Sequence, residues 1–248
     1  MTDRRVCTIL ALLLLTAWPA DAREPLTPPT EGRIRVAIVL AEGAQVIDFA
    51  GPWEVFQDVH LVDGGAPGGG GMHAGMTMPF ELFTVAASRE PVRGTGGMKI
   101  VPDYTFDDAP QAHVIVVPAL RGSPELHAWL RRAAKAADLT MSVCTGAFQL
   151  AATGLLDGFA ATTHHDFLDA FAERYPGVKL ERKVRWVDNG AIATAAGLTS
   201  GIDLALHVVA RYFGDGVAQW TADYLEHASD DWKEGAGMAS QSGEVEGG

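Results

Sequence analysis

The stretch Leu139-Thr-Met-Ser-Val-Cys-Thr-Gly-Ala-Phe-Gln-Leu-Ala-Ala-Thr-Gly-Leu-Leu156 decides the fold. Its first residues, 139–143, predict a short buried strand, and Thr145–Thr153 predict a helix. Cys144 lies at the junction, and Gly146 is expected to let the backbone turn sharply there. This arrangement is that of a nucleophile elbow, in which a tight turn between a strand and a helix presents a reactive side chain.

Two interpretations of Cys144 follow from this stretch. The start of a helix favours negative charge, so a thiolate at Cys144 would be stabilised there. However, the usual elbow has Gly two positions before the nucleophile, and this chain has Ser142. A buried structural cysteine is therefore the alternative, because a free cysteine packs as a small hydrophobic residue.

Around the elbow, the chain alternates apolar runs with helical patterns. It has 248 residues, of which 48% are hydrophobic, enough for one sizeable domain with a full core. Continuous apolar runs at 34–40, 80–86 and 113–118 are typical of strands buried on both faces of a sheet. We therefore predict an α/β sandwich with a mostly parallel sheet.

Local signals predict two helix starts near the candidate chemistry. Residues 41–49 are expected to form a loop, followed by a helix whose first position is Pro52. Further on, Ser200 and Asp203 have capping-box spacing and predict the start of a strongly apolar helix that runs to Phe213.

The N-terminus predicts export. Arg4 and Arg5 precede an apolar run over 6–18, and Ala20-Asp-Ala22 is a small-x-small cleavage site. Residues 1–22 are therefore predicted to be a signal peptide that is cleaved after Ala22, which places the mature protein in the periplasm or outside the cell, with no membrane attachment. A retained N-terminal anchor is the alternative. After cleavage Cys144 is the only cysteine, so no internal disulfide can form.

The remaining segments are predicted from composition. Residues 23–32 form a Pro-rich linker, residues 33–228 form the folded domain, and residues 229–248 form a disordered acidic tail. Within the domain, residues 62–79 form a Gly-rich insertion. Its run Met72–Met78 contains three Met and one His, which could bind Cu(I), but a flexible loop is the better interpretation, and no metal site is predicted.

The charge balance argues against one class of partner. The formal net charge is −12, and the sequence contains no basic stripe. Because nucleic-acid binding depends on clustered Lys and Arg, no nucleic-acid partner is expected.

Several polar groups are expected at the same edge of the sheet as Cys144, because parallel strands end at one rim and ligands bind there. Asp48 follows the first strand, although a capping role is equally consistent with its spacing. Of eight histidines, His164 and His165 are the best candidates for a proton-transfer group, since they end a predicted strand. Backbone amides of residues 118–122 are expected to form an anion-stabilising hole opposite Cys144.

The chain resembles the DJ-1/PfpI superfamily, also called class I glutamine amidotransferase-like, and most of all its isonitrile hydratase branch and the sensor domains of AraC-type regulators. The resemblance covers about residues 33–228. The segments that carry it are Val36-Ala-Ile-Val-Leu, Asp48-Phe-Ala-Gly-Pro-Trp-Glu-Val-Phe56, Val116-Val-Pro118, Ser142-Val-Cys-Thr-Gly-Ala-Phe148, Gly154-Leu-Leu-Asp-Gly158, Ala161-Thr-Thr-His164 and Ala195-Ala-Gly-Leu-Thr-Ser-Gly-Ile-Asp-Leu-Ala-Leu-His207.

This resemblance implies a three-layer flavodoxin-like sandwich, a homodimer and specific roles for four residues. Cys144 matches the elbow nucleophile, and Asp48 matches the acidic residue that faces it. Thr145 matches the residue whose hydroxyl is implicated in the hydratase branch, and His164 matches a histidine found near the cysteine in other branches.

The resemblance also suggests a substrate-binding group and shows two departures. Where the family usually has Gly-Gly after Val-Pro, this chain has Ala119-Leu120, and where the branch usually has Trp, it has His165. These three residues and Gly146 are predicted to line the substrate pocket.

The expected function is hydration of an isocyanide to an N-substituted formamide through a thioimidate on Cys144, with a small molecule as substrate and no cofactor. One alternative is a DJ-1-like glyoxalase that acts on reactive carbonyls and depends on His164. The other is a non-enzymatic periplasmic sensor of a ligand or of oxidation, in which Cys144 is oxidised beside Asp48.

Overall fold

The computed structural model describes residues 24–62 and 76–233, and this part of the chain folds around a seven-stranded sheet. The strands in chain order are β1 (Ile34–Val39), β2 (Phe80–Ala86), β3 (Val92–Arg93), β4 (Lys99–Ile100), β5 (Tyr104–Thr105), β6 (Val114–Val117), β7 (Leu139–Val143), β8 (Ala160–Ala161), β9 (Lys179–Leu180), β10 (Trp186–Asp188) and β11 (Ile192–Ala195). The helices are α1 (Val46–Gln57), α2 (Pro124–Ala133), α3 (Gly146–Ala152), α4 (Leu168–Arg174), α5 (Ser200–Phe213) and α6 (Asp215–Tyr224).

The sheet has the order β10-β11-β7-β6-β1-β2-β5, and every neighbouring pair is parallel except β10 and β11. Helices α1, α5 and α6 pack on one face, and α2, α3 and α4 pack on the other. Most residues of the central strands are apolar because both faces of these strands are buried, although β7 also buries Thr140 and Ser142. This confirms the predicted three-layer α/β sandwich with a mostly parallel sheet.

Several predicted elements are confirmed with the same bounds: the strands Leu139–Val143 and Phe80–Ala86 and the helix Ser200–Phe213. The short pairs β3–β4 and β8–β9 form two small sheets of their own. Among the described helices, none is long and apolar enough to cross a membrane.

Helix α1 begins earlier than predicted, which changes the setting of Asp48. Pro52 lies inside the helix, and the predicted loop over 41–49 is wrong in its second half. An internal proline normally costs a hydrogen bond and bends a helix. Here α1 packs closely on α5: a Cβ on Gly51 would lie 2.9 Å from Cγ1 of Ile202. This packing favours the helix over the local proline signal.

The predicted capping box at Ser200 is also wrong. Thr199 precedes the helix, and its side chain makes no capping hydrogen bond. The carboxylate of Asp203 is fully buried and instead accepts hydrogen bonds from Nε of Arg185, at 2.8 Å, and from Nε2 of His227, at 2.8 Å. Asp203 therefore ties α5 to distant parts of the chain rather than to its own first turn.

The first and last described residues contact the domain, and the predicted linker and disordered tail stay predictions. The amide of Leu26 donates to the carbonyl of Arg211 at 2.8 Å, and Nε of Arg211 donates to the carbonyl of Glu24 at 3.1 Å. At the other end, Trp232 is only 1% exposed. The predictions for the signal peptide 1–22, for most of the insertion 62–79 and for the rest of the tail lie outside the described residues.

Candidate active site

Cys144 occupies a strained backbone position between β7 and α3. Its φ is 58°, in the left-handed region that non-glycine residues rarely adopt. The amide of Cys144 donates to the carbonyl of Ala196 at 2.7 Å, and its carbonyl accepts from Oγ1 of Thr163 at 2.9 Å. Neighbouring segments thus hold the conformation in place, as expected of a nucleophile elbow.

Gly146 has a different role from the predicted one. The sharp turn occurs at Cys144 itself, and Gly146 lies in the first turn of α3 without a positive φ. A Cβ on Gly146 would lie 2.9 Å from the carbonyl oxygen of Pro118 and closer still to that of Val117. Gly146 is buried, and its lack of a side chain lets α3 approach β6. This close packing, rather than the predicted contact with substrate, explains the glycine.

Asp48 approaches the elbow from the first turn of α1 and is fully buried. Its Oδ2 accepts a hydrogen bond from the amide of Ala119 at 3.1 Å. Its Oδ1 is buried without a well-aligned partner among the described residues. Burial raises the pKa of Asp48 to about 6, although the Ala119 amide and the Cys144 thiol both lower it in part. Near neutral pH the group is therefore poised to exchange a proton.

The thiol of Cys144 is not the stabilised thiolate that the helix start predicts. Burial and the charge of Asp48 raise the pKa of Cys144 to about 11, whereas hydrogen bonds from the amides of Thr145 and Leu198 lower it. Because Cys144 is only 6% exposed, desolvation outweighs the two amides and the short helix α3. At neutral pH the sulfur is a protonated thiol beside a carboxyl group.

Thr145 lies directly before α3 and is partly buried. Its hydroxyl does not cap the helix, while its amide is one of the two that face the sulfur. The predicted hydroxyl role is untested by these contacts and stays a prediction.

Leu198 is the site residue that the sequence analysis missed. It lies in the connection from β11 to α5 and has a φ of 52°. Its amide points at the sulfur of Cys144, and its side chain is 39% exposed. The segment Ala195–His207 was noted for its resemblance, but a left-handed leucine has no sequence signal, so no role could be assigned.

Two of the amides that were predicted for an anion hole in the loop after β6 already have acceptors within the protein. The amide of Ala119 is bound to Asp48, and that of Arg121 donates to the carbonyl of Glu42 at 3.0 Å. The carbonyl of Leu120 accepts from Nε2 of Gln149 at 3.3 Å. Ala119 therefore fixes Asp48, and the sulfur-facing amides come from Thr145 and Leu198 instead.

His164 reaches the site by a different route from the predicted one. Strand β8 belongs to a small separate sheet, so His164 does not end a strand of the main sheet. It lies near Cys144 because the preceding Thr163 hydrogen-bonds to the Cys144 carbonyl. Within the described chain, the partners found for the His164 ring are Asp166, His165 and Phe167, and none of these contacts joins its nitrogens to the sulfur.

His165 stacks on His164, with ring centroids 4.3 Å apart and an interplanar angle of 26°. Its side chain is 78% exposed, so it lies at the surface of the domain, and its predicted place in a pocket wall stays a prediction. His164, His165 and Asp166 have possible metal-ligating atoms within 4.8 Å of one another. Nδ1 of His164 is already engaged by the amide of Asp166, and we assign no metal to this largely exposed cluster.

Comparison with known proteins supports this assignment of the fold. The chain is 30% identical to the isonitrile hydratase of Pseudomonas putida over 204 residues, which cover 79% of each protein. It is 33% identical over 144 residues to the HTH-type transcriptional regulator CdhR of Pseudomonas aeruginosa, a match that covers 56% of this chain and 43% of the regulator.

A crystal structure of a ThiJ/PfpI family protein from Pseudomonas syringae superposes with a TM-score of 0.66 at 28% identity, covering 80% of this chain and 77% of that one. The family model for the DJ-1/PfpI family matches residues 34–211, which contain Asp48, Cys144, His164 and Leu198. The chain therefore belongs to the DJ-1/PfpI family.

Proposed function

We propose that this protein is a cysteine-dependent enzyme that hydrates an isocyanide, R–N≡C, to the N-substituted formamide R–NH–CHO. The observation that carries the proposal is the pairing of the Cys144 thiol, at the elbow, with the buried carboxyl group of Asp48. Its similarity to the isonitrile hydratase of Pseudomonas putida supports the reaction class.

In the first step, the thiol adds to the terminal carbon of the isocyanide. Because the raised pKa of Cys144 keeps the proton on sulfur at neutral pH, Asp48 accepts this proton as the C–S bond forms and then gives it to the same carbon. The product is a thioimidate, R–N=CH–S–Cys144. The amides of Thr145 and Leu198 stabilise negative charge that develops on sulfur during the transfer.

In the second step, water adds to the thioimidate carbon. Asp48 takes a proton from this water and passes it to the imine nitrogen, which gives a tetrahedral carbon that bears OH, S and NH–R. On collapse Asp48 takes the hydroxyl proton and delivers it to the departing sulfur, and the formamide leaves. The net change is the addition of one water, and no oxidant or cofactor is required.

The test is incubation of the purified protein with an alkyl isocyanide and detection of the formamide by proton NMR. Wild-type protein should form product, whereas Cys144→Ala should not. His60→Ala serves as the control, since His60 packs on Trp220 and Tyr224, and its contacts involve none of the site residues. No formamide from the wild type, or undiminished activity in Cys144→Ala, would contradict the proposal.

A second candidate function is ligand sensing without turnover. The pKa of Cys144, raised to about 11, makes the resting sulfur a weak nucleophile, and relatives include transcriptional regulators. A sensor would bind a small molecule at Cys144 with a measurable dissociation constant and release it unchanged. A glyoxalase is supported less, because Nδ1 of His164 already accepts from the amide of Asp166 at 3.2 Å.

We also propose that the protein is exported, that it acts on a small molecule as a homodimer, and that it needs no nucleic acid. The signal-like N-terminus supports export, and the net charge of −12 supports the last point. Mass spectrometry of protein recovered from a periplasmic fraction should give a mature chain that begins at Arg23. Light scattering should give twice the protomer mass.

A further inference from the structure

The imidazole of His164 lies directly against the backbone of Gly197. A Cβ placed on Gly197 would be 2.5 Å from Cδ2 and 3.1 Å from Nε2 of His164, closer than real Cβ contacts. Gly197 does not have a positive φ, so its backbone alone does not demand glycine. Position 197 requires glycine because the edge of the His164 ring contacts the backbone there.

The next residue after Gly197 is Leu198, whose amide points at the sulfur of Cys144. Leu198 has a φ of 52°, in the left-handed region that non-glycine residues rarely adopt. The segment is further fixed because the amide of Cys144 donates to the carbonyls of Ala195, at 3.2 Å, and Ala196, at 2.7 Å. These hydrogen bonds therefore fix the segment that contains Leu198 against Cys144. Within this segment, the Leu198 amide is the group that reaches the sulfur.

One of the two ring nitrogens of His164 has a partner outside the Gly197–Leu198 segment. Nδ1 accepts from the amide of Asp166 at 3.2 Å, and the ring stacks on His165 and meets the edge of Phe167, with centroids 5.9 Å apart. The side chain is 16% exposed, so the ring is held on most sides. The Cδ2–Nε2 edge of the His164 ring meets the Gly197–Leu198 segment.

We propose that His164 is a positioning residue: its ring presses on Gly197 and so holds the Leu198 amide towards the sulfur of Cys144. This proposal rests on Cys144 being the reactive group of the proposed function. In this proposal His164, which matches a histidine of the family, acts by packing and not by proton transfer. Leu198 joins the groups that contact the reacting sulfur.

Alkylation of Cys144 by iodoacetamide tests the proposal without any isocyanide. Rates are followed at pH 8 by peptide mapping of Cys144 in the full chain, since Asp48 is the charged group that faces this sulfur. A hydrogen bond to a charged group contributes about 1.5–3 kcal/mol, so losing it should slow alkylation about tenfold or more. His164→Ala should show this loss, whereas His164→Phe, which keeps a flat ring and no nitrogen, should stay within about twofold of wild type.

A second pair of variants tests the contact from the other side. Gly197→Ala puts a methyl group into the ring of His164 and should also slow alkylation about tenfold, because the segment must shift. In the double variant with His164→Ala, the methyl group has room, so the two effects should be clearly less than additive. His60→Ala, which removes a partly buried histidine that contacts Trp220 and Tyr224, should leave the rate unchanged.

Two results would overturn the proposal. If His164→Phe alkylates as slowly as His164→Ala, the histidine acts through its nitrogens. If both variants and Gly197→Ala alkylate at the wild-type rate, the ring does not position the Leu198 amide. Failure of isocyanide turnover leaves the alkylation rates interpretable, so the two proposals fail separately.

Discussion

The carboxyl group of Asp48 and the thiol of Cys144 each change the other's proton affinity across the gap between α1 and the elbow. The charge of Asp48 helps to raise the pKa of Cys144 to about 11, and the thiol lowers the pKa of Asp48, which burial sets at about 6. At rest the proton is therefore on the sulfur of Cys144, and its acceptor, the carboxylate of Asp48, lies beside it.

This relationship predicts opposite effects of Asp48→Asn on two reactions. Removing the negative charge should lower the pKa of Cys144, so iodoacetamide alkylation at pH 8 should become several-fold faster. Isocyanide hydration should fall by about 10²–10⁴-fold, because the proton acceptor is lost. Parallel assays on one preparation measure both. A loss of both rates would show that the variant disturbs the elbow instead.

The same residue predicts a pH dependence of stability. The pKa of Asp48 is about 6 in the folded state and 3.8 ordinarily, so the folded state binds this proton more tightly. Its ionisation therefore destabilises the fold above about pH 6, and the penalty is relieved as the pH falls towards 4. The difference corresponds to about 3 kcal/mol.

Asp48→Asn should accordingly raise the free energy of unfolding at pH 7 by up to about 3 kcal/mol and much less at pH 4. Urea denaturation at the two pH values measures this. Asp58→Asn is the comparison, because burial also raises the pKa of Asp58, which lies at the other end of α1 and does not contact Cys144. An equal gain at both pH values for Asp48→Asn would contradict the assignment.

Gly146 provides a prediction about packing. Gly146→Ala would force α3 away from the Val117 and Pro118 carbonyls and should lower the free energy of unfolding by about 1–3 kcal/mol. Gly177→Ala is the matched control, because a Cβ there meets nothing within 4 Å and its φ is not positive. Equal stability of the two variants in urea would show that the elbow tolerates the methyl group.

Trp232 provides a prediction about the C-terminal segment. Trp232→Ala removes a side chain that is 1% exposed and should cost about 3–5 kcal/mol. A disordered tail, as composition alone predicts, would make the same change neutral. The melting temperature, measured by circular dichroism beside that of wild type, decides between the two, and an unchanged value would show that Trp232 does not pack in solution.

The sequence predicted the sheet well because strands such as β6 are buried on both faces and are therefore apolar. It failed at Pro52, where contact with α5 outweighs a local helix signal. Such outcomes depend on tertiary packing that no short window of sequence contains.

The candidate site was predicted in part. Cys144, Asp48 and His164 could be named from patterns and resemblance, and the structure brings their segments together. The high pKa of Cys144 and the bond between Ala119 and Asp48 could not be predicted, because both depend on burial and on the distance between separate elements. The left-handed Leu198 depends on its neighbours in the fold and has no composition signal.

The packing of Glu24, Leu26 and Trp232 has a consequence for the order of folding. Arg211 binds the carbonyl of Glu24, and the indole of Trp186 donates to the carbonyl of Asp231 at 3.0 Å. These contacts join the first and last described parts of the chain around α5. A nascent polypeptide cannot form them all until Trp232 has left the ribosome, so the α5 face closes only after that residue emerges, and fragments that stop short of Trp232 should leave it open to proteases.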